Sequence, residues 1–286
     1  MNNLKSNIIS IYGDKGEEWL KNLPDIISQI ASKHKLEQLT PSKVMNFNYI
    51  IFGHQNSEPI VLKVSLDNVA LSKEYDYLTA VSNQNNLKII AHDKDMIIME
   101  QALPGTTLKE QFPKNDKEAT TILCSLIKKL HTAHIPKNHN FKNIKDILKV
   151  LDKDINIPQH ILLKARNLRD NLLAATTQEV LLHGDLHHEN ILKHNNEWVA
   201  IDPKGFIGDP AFEVAGYLYN PIPDLVECNN AQEIIKERIK LCSELLQIPQ
   251  QTIHDWMYVK IVLCWAWNLE DNSSITYWEK IINDII

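Results

Sequence analysis

A chain of 286 residues with 44% apolar and 23% charged side chains has room for one large domain or two lobes sharing a cleft, with a substantial core either way. Its formal net charge of −6, without any basic run, argues against a nucleic-acid partner, and no apolar run approaches the roughly 18 residues of a membrane span. The cysteines Cys124, Cys228, Cys242 and Cys264 form no C-x-x-C pair and read as reduced thiols of a cytoplasmic protein.

Near the start, Trp19, Leu20, Leu23, Ile26, Ile27 and Ile30 recur at helical spacing. Pro24 interrupts them, which predicts two short helices or a kinked one. Residues 43–54, 59–66, 88–92 and 95–100 read as strands separated by turn residues. A helix over 68–81 lies among them, with Leu71, Glu74, Tyr75, Leu78 and Val81 on related faces. In the second of these strands Ile60, Leu62, Val64 and Leu66 share one face and Lys63 points to the other. The expectation is a mostly antiparallel sheet with one inserted helix. After Gln101-Ala102-Leu103-Pro104-Gly105 the pattern turns helical, over 116–134, 145–152, 158–176, 231–246 and 252–271. The Pro-Gly pair marks a lobe boundary, giving lobes 1–101 and 102–286. Asp209 followed by Pro210 reads as an N-cap with proline at the first helical position.

One hairpin is predicted to interrupt the helical lobe. Ile191-Leu192-Lys193 and Trp198-Val199-Ala200-Ile201 are short β-type runs on either side of Asn195-Asn196. A three-residue loop, 195–197, sets His194 opposite Trp198 and so Asn190 opposite Asp202. Opposed residues in an antiparallel pair have Cα atoms roughly 4.5–5.5 Å apart. An amide oxygen and a carboxylate at one hairpin mouth suit a hard cation, Mg²⁺ being the natural candidate because it fills its other positions with water and phosphate oxygens. Asp185 lies five residues before Asn190, placed to accept a hydrogen bond from an attacking hydroxyl and take its proton. Any one of these residues has a blander explanation in Asx-turn chemistry; the joint spacing is what points to phosphoryl transfer. His183 and His187 are four apart, but Gly184-Asp185 argues for a loop and no cysteine completes a zinc site. His183 is expected to brace the loop through hydrogen bonds.

The stretch His183-Gly184-Asp185-Leu186-His187-His188-Glu189-Asn190, followed by a strand and Asp202, resembles the aminoglycoside phosphotransferase branch of the protein-kinase-like fold. More narrowly, HGDLHHENIL and AIDPKGFIGDPAFEVA resemble the streptomycin 6-kinase (aminoglycoside and hydroxyurea antibiotic resistance kinase) family. Weaker matches run from Tyr12 to Leu20 and from Trp267 to Asp271. The resemblance implies an α+β fold: a small antiparallel β-sheet N-lobe with one helix, and a mainly helical C-lobe. It implies an enzyme that moves the γ-phosphoryl group of ATP or GTP, with Mg²⁺, to a hydroxyl of a streptomycin-like aminoglycoside. Asp185 is then the catalytic residue, Asn190 and Asp202 hold the metal, and Lys63 steadied by Glu74 holds the phosphates. The backbone of Glu100 and Ala102 would read the adenine edge. No G-x-G-x-x-G and no Walker-type loop occurs, so the turn around Asn46 and Asn48 would have to cover the phosphates. Glu270, Asp271 and Trp267, at the end of a tryptophan-rich helix, are the candidates for a small, cationic acceptor, since carboxylates bind guanidinium groups strongly and directionally. The alternatives are a kinase for hydroxyurea or another metabolite alcohol, or an inactive nucleotide-binding module.

Overall fold

The chain starts with two helices, α1 (Asn2–Tyr12) and α2 (Asp14–His34), in a computed structural model that describes residues 2–82, 86–271 and 273–286. They approach so closely that a Cβ on Gly16 would lie 2.6 Å from the Ile8 carbonyl oxygen; only glycine fits there. α2 runs unbroken through Pro24, where two short helices had been one expectation. Pro24 is exposed while Leu23 is buried, so the proline ring lies on the water-facing side of the helix, away from its packed face.

Five strands follow in the order β1-β2-β3-β5-β4, from β1 (Leu36–Pro41), β2 (Tyr49–Gln55), β3 (Glu58–Val64), β4 (Ile89–Asp93) and β5 (Met96–Glu100). Every pairing is antiparallel, and α3 (Asn68–Ala80) is inserted after β3. The first strand was expected over 43–54; instead β1 ends at Pro41 and the paired strand starts only at Tyr49. A bulge between Glu37 and Thr40, with Gln38 at φ 53°, breaks the alternation of β1; an irregular edge strand carries no period-2 signal. The apolar face of β3, Ile60, Leu62 and Val64, packs with Trp19, Leu23 and Ile30 of α2. These residues belong to the unit Met1–Leu103.

The second unit is Pro104–Ile286. Its helices are α4 (Asp116–Leu130), α5 (Ile144–Ile147), α6 (Gln159–Ala175), α7 (Pro210–Leu218), α8 (Ala231–Leu246), α9 (Gln250–Glu270) and α10 (Thr276–Lys280). α9 is apolar nearly all round, from Ile253 to Ala266, as befits the buried helix of a helical unit. More than one hairpin interrupts these helices. β9 (Ile191–His194) and β10 (Glu197–Ala200) form a sheet with β6 (Pro104–Thr107), and β8 (Val180–Leu182), β11 (Phe206–Gly208) and β7 (Lys142–Asn143) form another. Strands of two to four residues are too short to declare a period. Buried Arg238 on α8 ties the region together. Its guanidinium grips Asp116 at 2.9 and 2.5 Å and donates to the carbonyls of Tyr217, Leu218 and Asn220 at the end of α7. Five donors in a planar fork make arginine suited to this task. Among the described residues no helix is long and apolar enough to cross a membrane.

Candidate active site

In the N-terminal unit, the strand alternation that aims Ile60, Leu62 and Val64 one way aims Lys63 the other. Lys63 meets Glu74 of α3 at 2.6 Å, with the residues 3% and 6% exposed. Asp67 caps α3 by accepting from the N–H groups of Val69 and Ala70, which fixes the helix that carries Glu74. Removing one partner of such a buried pair strands the other charge at about 3–5 kcal/mol. Glu100 ends β5. Its N–H donates to the Lys88 carbonyl at 2.9 Å and its side chain accepts from the Lys88 N–H at 3.3 Å. Ala102 is buried just beyond. Asn46 and Asn48 lie in the turn before β2, where the Asn46 carbonyl accepts from the Asn7 side chain at 3.1 Å and Phe47 is exposed.

In the C-terminal unit, β8 delivers the chain to His183, and from there the loop is clamped. The Glu213 carboxylate of α7 accepts from the N–H groups of His183 at 2.6 Å and Gly184 at 2.9 Å. His183, fully buried, accepts at Nδ1 from the Asp185 N–H and meets the Ile201 carbonyl with Nε2 at 2.9 Å. Nε2 therefore carries the ring proton, and burial lowers the ring's pKa despite nearby carboxylates. The His183 carbonyl in turn accepts from the N–H groups of Lys204 and Gly205. Gly184 stands at φ +85°, with the Phe206 ring 2.5 Å from where a Cβ would be. Behind it the buried Lys260 of α9 donates to the Gly184 carbonyl at 3.4 Å and lies over the Phe212 ring. Burial alone would push the Glu213 carboxyl up. His131, whose Nε2 stands 3.6 Å away, and the Lys260 ammonium hold it net below its ordinary value.

What this clamp presents is Asp185, with its side chain 39% exposed. Its Oδ1 lies 3.6 Å from His187 Nε2 and its Oδ2 3.7 Å from Lys204 Nζ. The Asn190 amide nitrogen donates to the Asp185 carbonyl at 2.8 Å, which leaves the amide oxygen to meet a cation. The hairpin register differs from the expected one by a residue. His194 pairs with Glu197 and Ile191 with Ala200, because Asn195 takes φ 52° and closes a two-residue turn. Continuing the ladder, Ile201 faces Asn190, and its N–H donates to the Asn190 carbonyl at 2.9 Å. Asp202 sits one step further on, at φ 60°. An amide oxygen and a carboxylate near this mouth could both offer oxygens to a hard divalent cation. Among the described residues no three histidine, cysteine or acidic side chains could hold a metal together, and the neutral, doubly engaged His183 is a brace. Asp209 caps α7 through the Ala211 N–H at 2.8 Å and accepts from the Thr176 hydroxyl.

The acidic end of α9 is arranged differently from expectation. Glu270 pairs with Lys153 at 2.5 Å, Asp271 is the exposed C-cap residue, and Trp267 is half-buried. Sequence reasoning gave no role to Glu213, Lys204 or Lys260. A signal existed for Lys260, a lone cation in an apolar helix, whereas Glu213 sits in a quoted motif that does not say which backbone groups it will meet.

A model of the family described as aminoglycoside/hydroxyurea antibiotic resistance kinase matches residues 40–272, most of the chain and all of the loop just described. The protein belongs to this kinase family. As an aminoglycoside/hydroxyurea kinase it is a phosphotransferase that acts on a hydroxyl group, and its α+β architecture is the protein-kinase-like one. It is 22% identical over 285 residues to a streptomycin 6-kinase of Streptomyces glaucescens, covering 95% of this chain and 91% of the relative. It is 23% identical over 273 residues to a hydroxyurea phosphotransferase of Kitasatospora aureofaciens, covering 91% and 77%. Among solved structures it is similar to an aminoglycoside phosphotransferase in a ternary complex with ADP and hygromycin B, with a TM-score of 0.65 at 12% identity, covering 88% of this chain and 95% of that one.

Proposed function

We propose that this kinase transfers the γ-phosphoryl group of ATP to a hydroxyl of streptomycin or a closely related cationic aminoglycoside. The observation that carries the reading is the clamped loop: Glu213, His183 and Lys260 fix the backbone around Asp185 while its carboxylate stays accessible. A fixed, accessible carboxylate can orient an acceptor hydroxyl toward phosphorus and accept its proton, and positioning is most of what phosphoryl transfer asks of a protein. Asn190 and Asp202 would hold Mg²⁺, which when bound neutralises phosphate charge. Residues 102–286 form the catalytic and acceptor-binding lobe in this reading, and residues 1–101 the nucleotide lobe. There Lys63, oriented by Glu74, contacts the phosphates, the carbonyl of Glu100 and the backbone of Ala102 meet adenine, and the turn with Asn46 and Asn48 covers the nucleotide. Asp271 and Trp267 receive the acceptor. Glu270 joins them by giving up Lys153, because an exposed ion pair holds only about 0–1 kcal/mol. The enzyme works in the cytoplasm, consistent with its free thiols.

The test is incubation of the chain with MgATP or MgGTP and an acceptor panel, read by product mass. Streptomycin should gain one phosphate, with ATP the better donor. Hydroxyurea is the second acceptor to include, favoured by the relationship to a hydroxyurea phosphotransferase. Phosphorylation of hydroxyurea and not streptomycin would transfer the assignment to that substrate, and acceptor-independent silence with both donors would refute phosphotransfer.

A further inference from the structure

Lys204 has its main chain fixed and its side chain at large. Its N–H donates to the His183 carbonyl at 2.8 Å, and the Gly205 N–H shares that carbonyl at 3.2 Å. The Lys204 Cβ is packed 3.4 Å from where a Gly184 side chain would begin. Yet the side chain is 57% exposed and its ammonium stands 3.7 Å from Asp185 Oδ2, too far for a hydrogen bond. An exposed pair of this kind adds little to stability, so stability does not account for holding a lysine root so firmly beside this carboxylate. Three other lysines of the unit are engaged elsewhere. Lys260 is buried against the Gly184 carbonyl, Lys109 bridges Glu189 and Asp224, and Lys193 bonds the Asn196 carbonyl.

An acceptor hydroxyl bonded to Asp185 would stand about 2.6–3.2 Å from its carboxylate. The phosphorus it attacks is then the next atom outward, within the sweep of a four-carbon stem rooted beside Asp185. We propose that Lys204 is a catalytic cation of this kinase, which swings from Asp185 onto the oxygens of the phosphoryl group in flight. The inference rests on the phosphotransfer reading above. In the step concerned, the acceptor oxygen forms a bond to the γ-phosphorus while the bond from that phosphorus to the bridging oxygen breaks. The bridging oxygen's electron pair leaves with ADP, and the acceptor proton passes to Asp185. Negative charge spreads over the three equatorial oxygens meanwhile, and a mobile ammonium anchored at its root meets it there. Its departure also frees Asp185 Oδ2 to face the hydroxyl.

Lys204→Met removes the charge and keeps the length of an exposed side chain, so its thermal melt should match that of the parent. Turnover with streptomycin, and slow hydrolysis with water as acceptor, should each fall about 100-fold or more, the scale of losing one preorganised charge-stabilising group. KM for MgATP and streptomycin should move less than about threefold, since the interaction matures in the transition state. A readout without turnover is calorimetric binding of ADP with Mg²⁺ and aluminium fluoride, a mimic of the planar phosphoryl group. Its affinity should fall in step with kcat while that of the unreactive analogue AMP-PNP stays within about threefold. Lys204→Arg should recover at least about tenfold, because the charge is kept. Undiminished turnover in Lys204→Met beside an active parent would overturn the role of Lys204 alone, as would equal losses in both variants. A parent that neither transfers phosphate nor binds the fluoride complex would overturn it together with the kinase reading.

Discussion

Replacing Glu213 by glutamine isolates what the clamp contributes. The carboxylate accepts from two buried backbone N–H groups, one on each oxygen, at 2.6 and 2.9 Å. A glutamine offers one oxygen and one NH₂, so one of the two N–H groups must face another donor. Losing a hydrogen bond to a charged partner costs about 1.5–3 kcal/mol, and the surviving bond drops to roughly half its strength once the acceptor is neutral. Together these predict a loss of about 2–4 kcal/mol. Relief from burying the glutamate charge offsets little, because buried Lys260 loses a compensating charge. At about 2–4 °C per kcal/mol, Tm should fall by roughly 4–16 °C. Turnover should fall further than stability suggests, since a misplacement of about 1 Å near the reacting atoms costs roughly 100-fold. Nucleotide affinity should hold, because Glu213 contacts backbone and no ligand group in the proposed mechanism. The assay is a thermal melt with steady-state ADP release, each at neutral pH and again between pH 5 and 3. The Glu213 pKa is lowered in the fold, so the stability it contributes is present above its unfolded value near 4.5 and is lost as pH falls through the folded value. The glutamine variant should lack that acid-limb loss. Parental Tm and kcat in the variant would refute the clamp as a positioning device.

Asp185→Asn should abolish phosphoryl transfer while leaving MgATP binding within about threefold, and near-parental turnover with saturating acceptor would sink the role of Asp185. Asp202→Ala should weaken nucleotide binding in Mg²⁺ and erase its metal dependence, checked by calorimetry with and without chelator; unchanged affinity and metal dependence would remove Asp202 from the metal site. His183 and His188 both have pKa values lowered chiefly by burial, with the Arg238 charge adding to the effect at His188. The unfolded chain therefore binds more protons below pH 6.5, and stability should decline as pH falls from there toward the folded values. Urea titrations at pH 7.5 and 5.5 should show that decline shrinking in His188→Gln, and an identical decline in the variant would assign it to other groups.

The parts legible in the sequence are those whose signal is local. The alternation in Ile60-Val61-Leu62-Lys63-Val64 reports a strand with two dissimilar faces, and the apolar periodicity of 231–246 reports α8. The hairpin was legible but its register was off by one residue, a shift that moves Asp202 along the strand without taking it away from the hairpin mouth. That error had a plain cause: Asn195-Asn196-Glu197 suits a loop of two or three residues, and only the backbone angle at Asn195 decides. β1 stayed hidden because its bulge destroys the period. The clamp was illegible for a different reason. Glu213 meets His183 across 30 residues of chain and Lys260 meets Gly184 across 76, and no local pattern encodes such meetings.

The fastening of the catalytic loop also bears on how resistance enzymes of this kind can diversify. The groups that hold His183 and Gly184 in place come from residues 201–213 and from Lys260, in the interior of α9, and those that hold Asp185 come from His183 and Asn190. The outer end of α9 is a separate neighbourhood, where Glu270 leans on Lys153 and Asp271 faces water. Substitutions there, at sites where surface changes usually shift stability by less than about 0.5 kcal/mol, can accumulate without loosening the loop around Asp185. With the acceptor placed at this end of α9 as proposed, a lineage meeting a new acceptor could thus change its grip on it one exposed side chain at a time while the loop around Asp185 stays fastened.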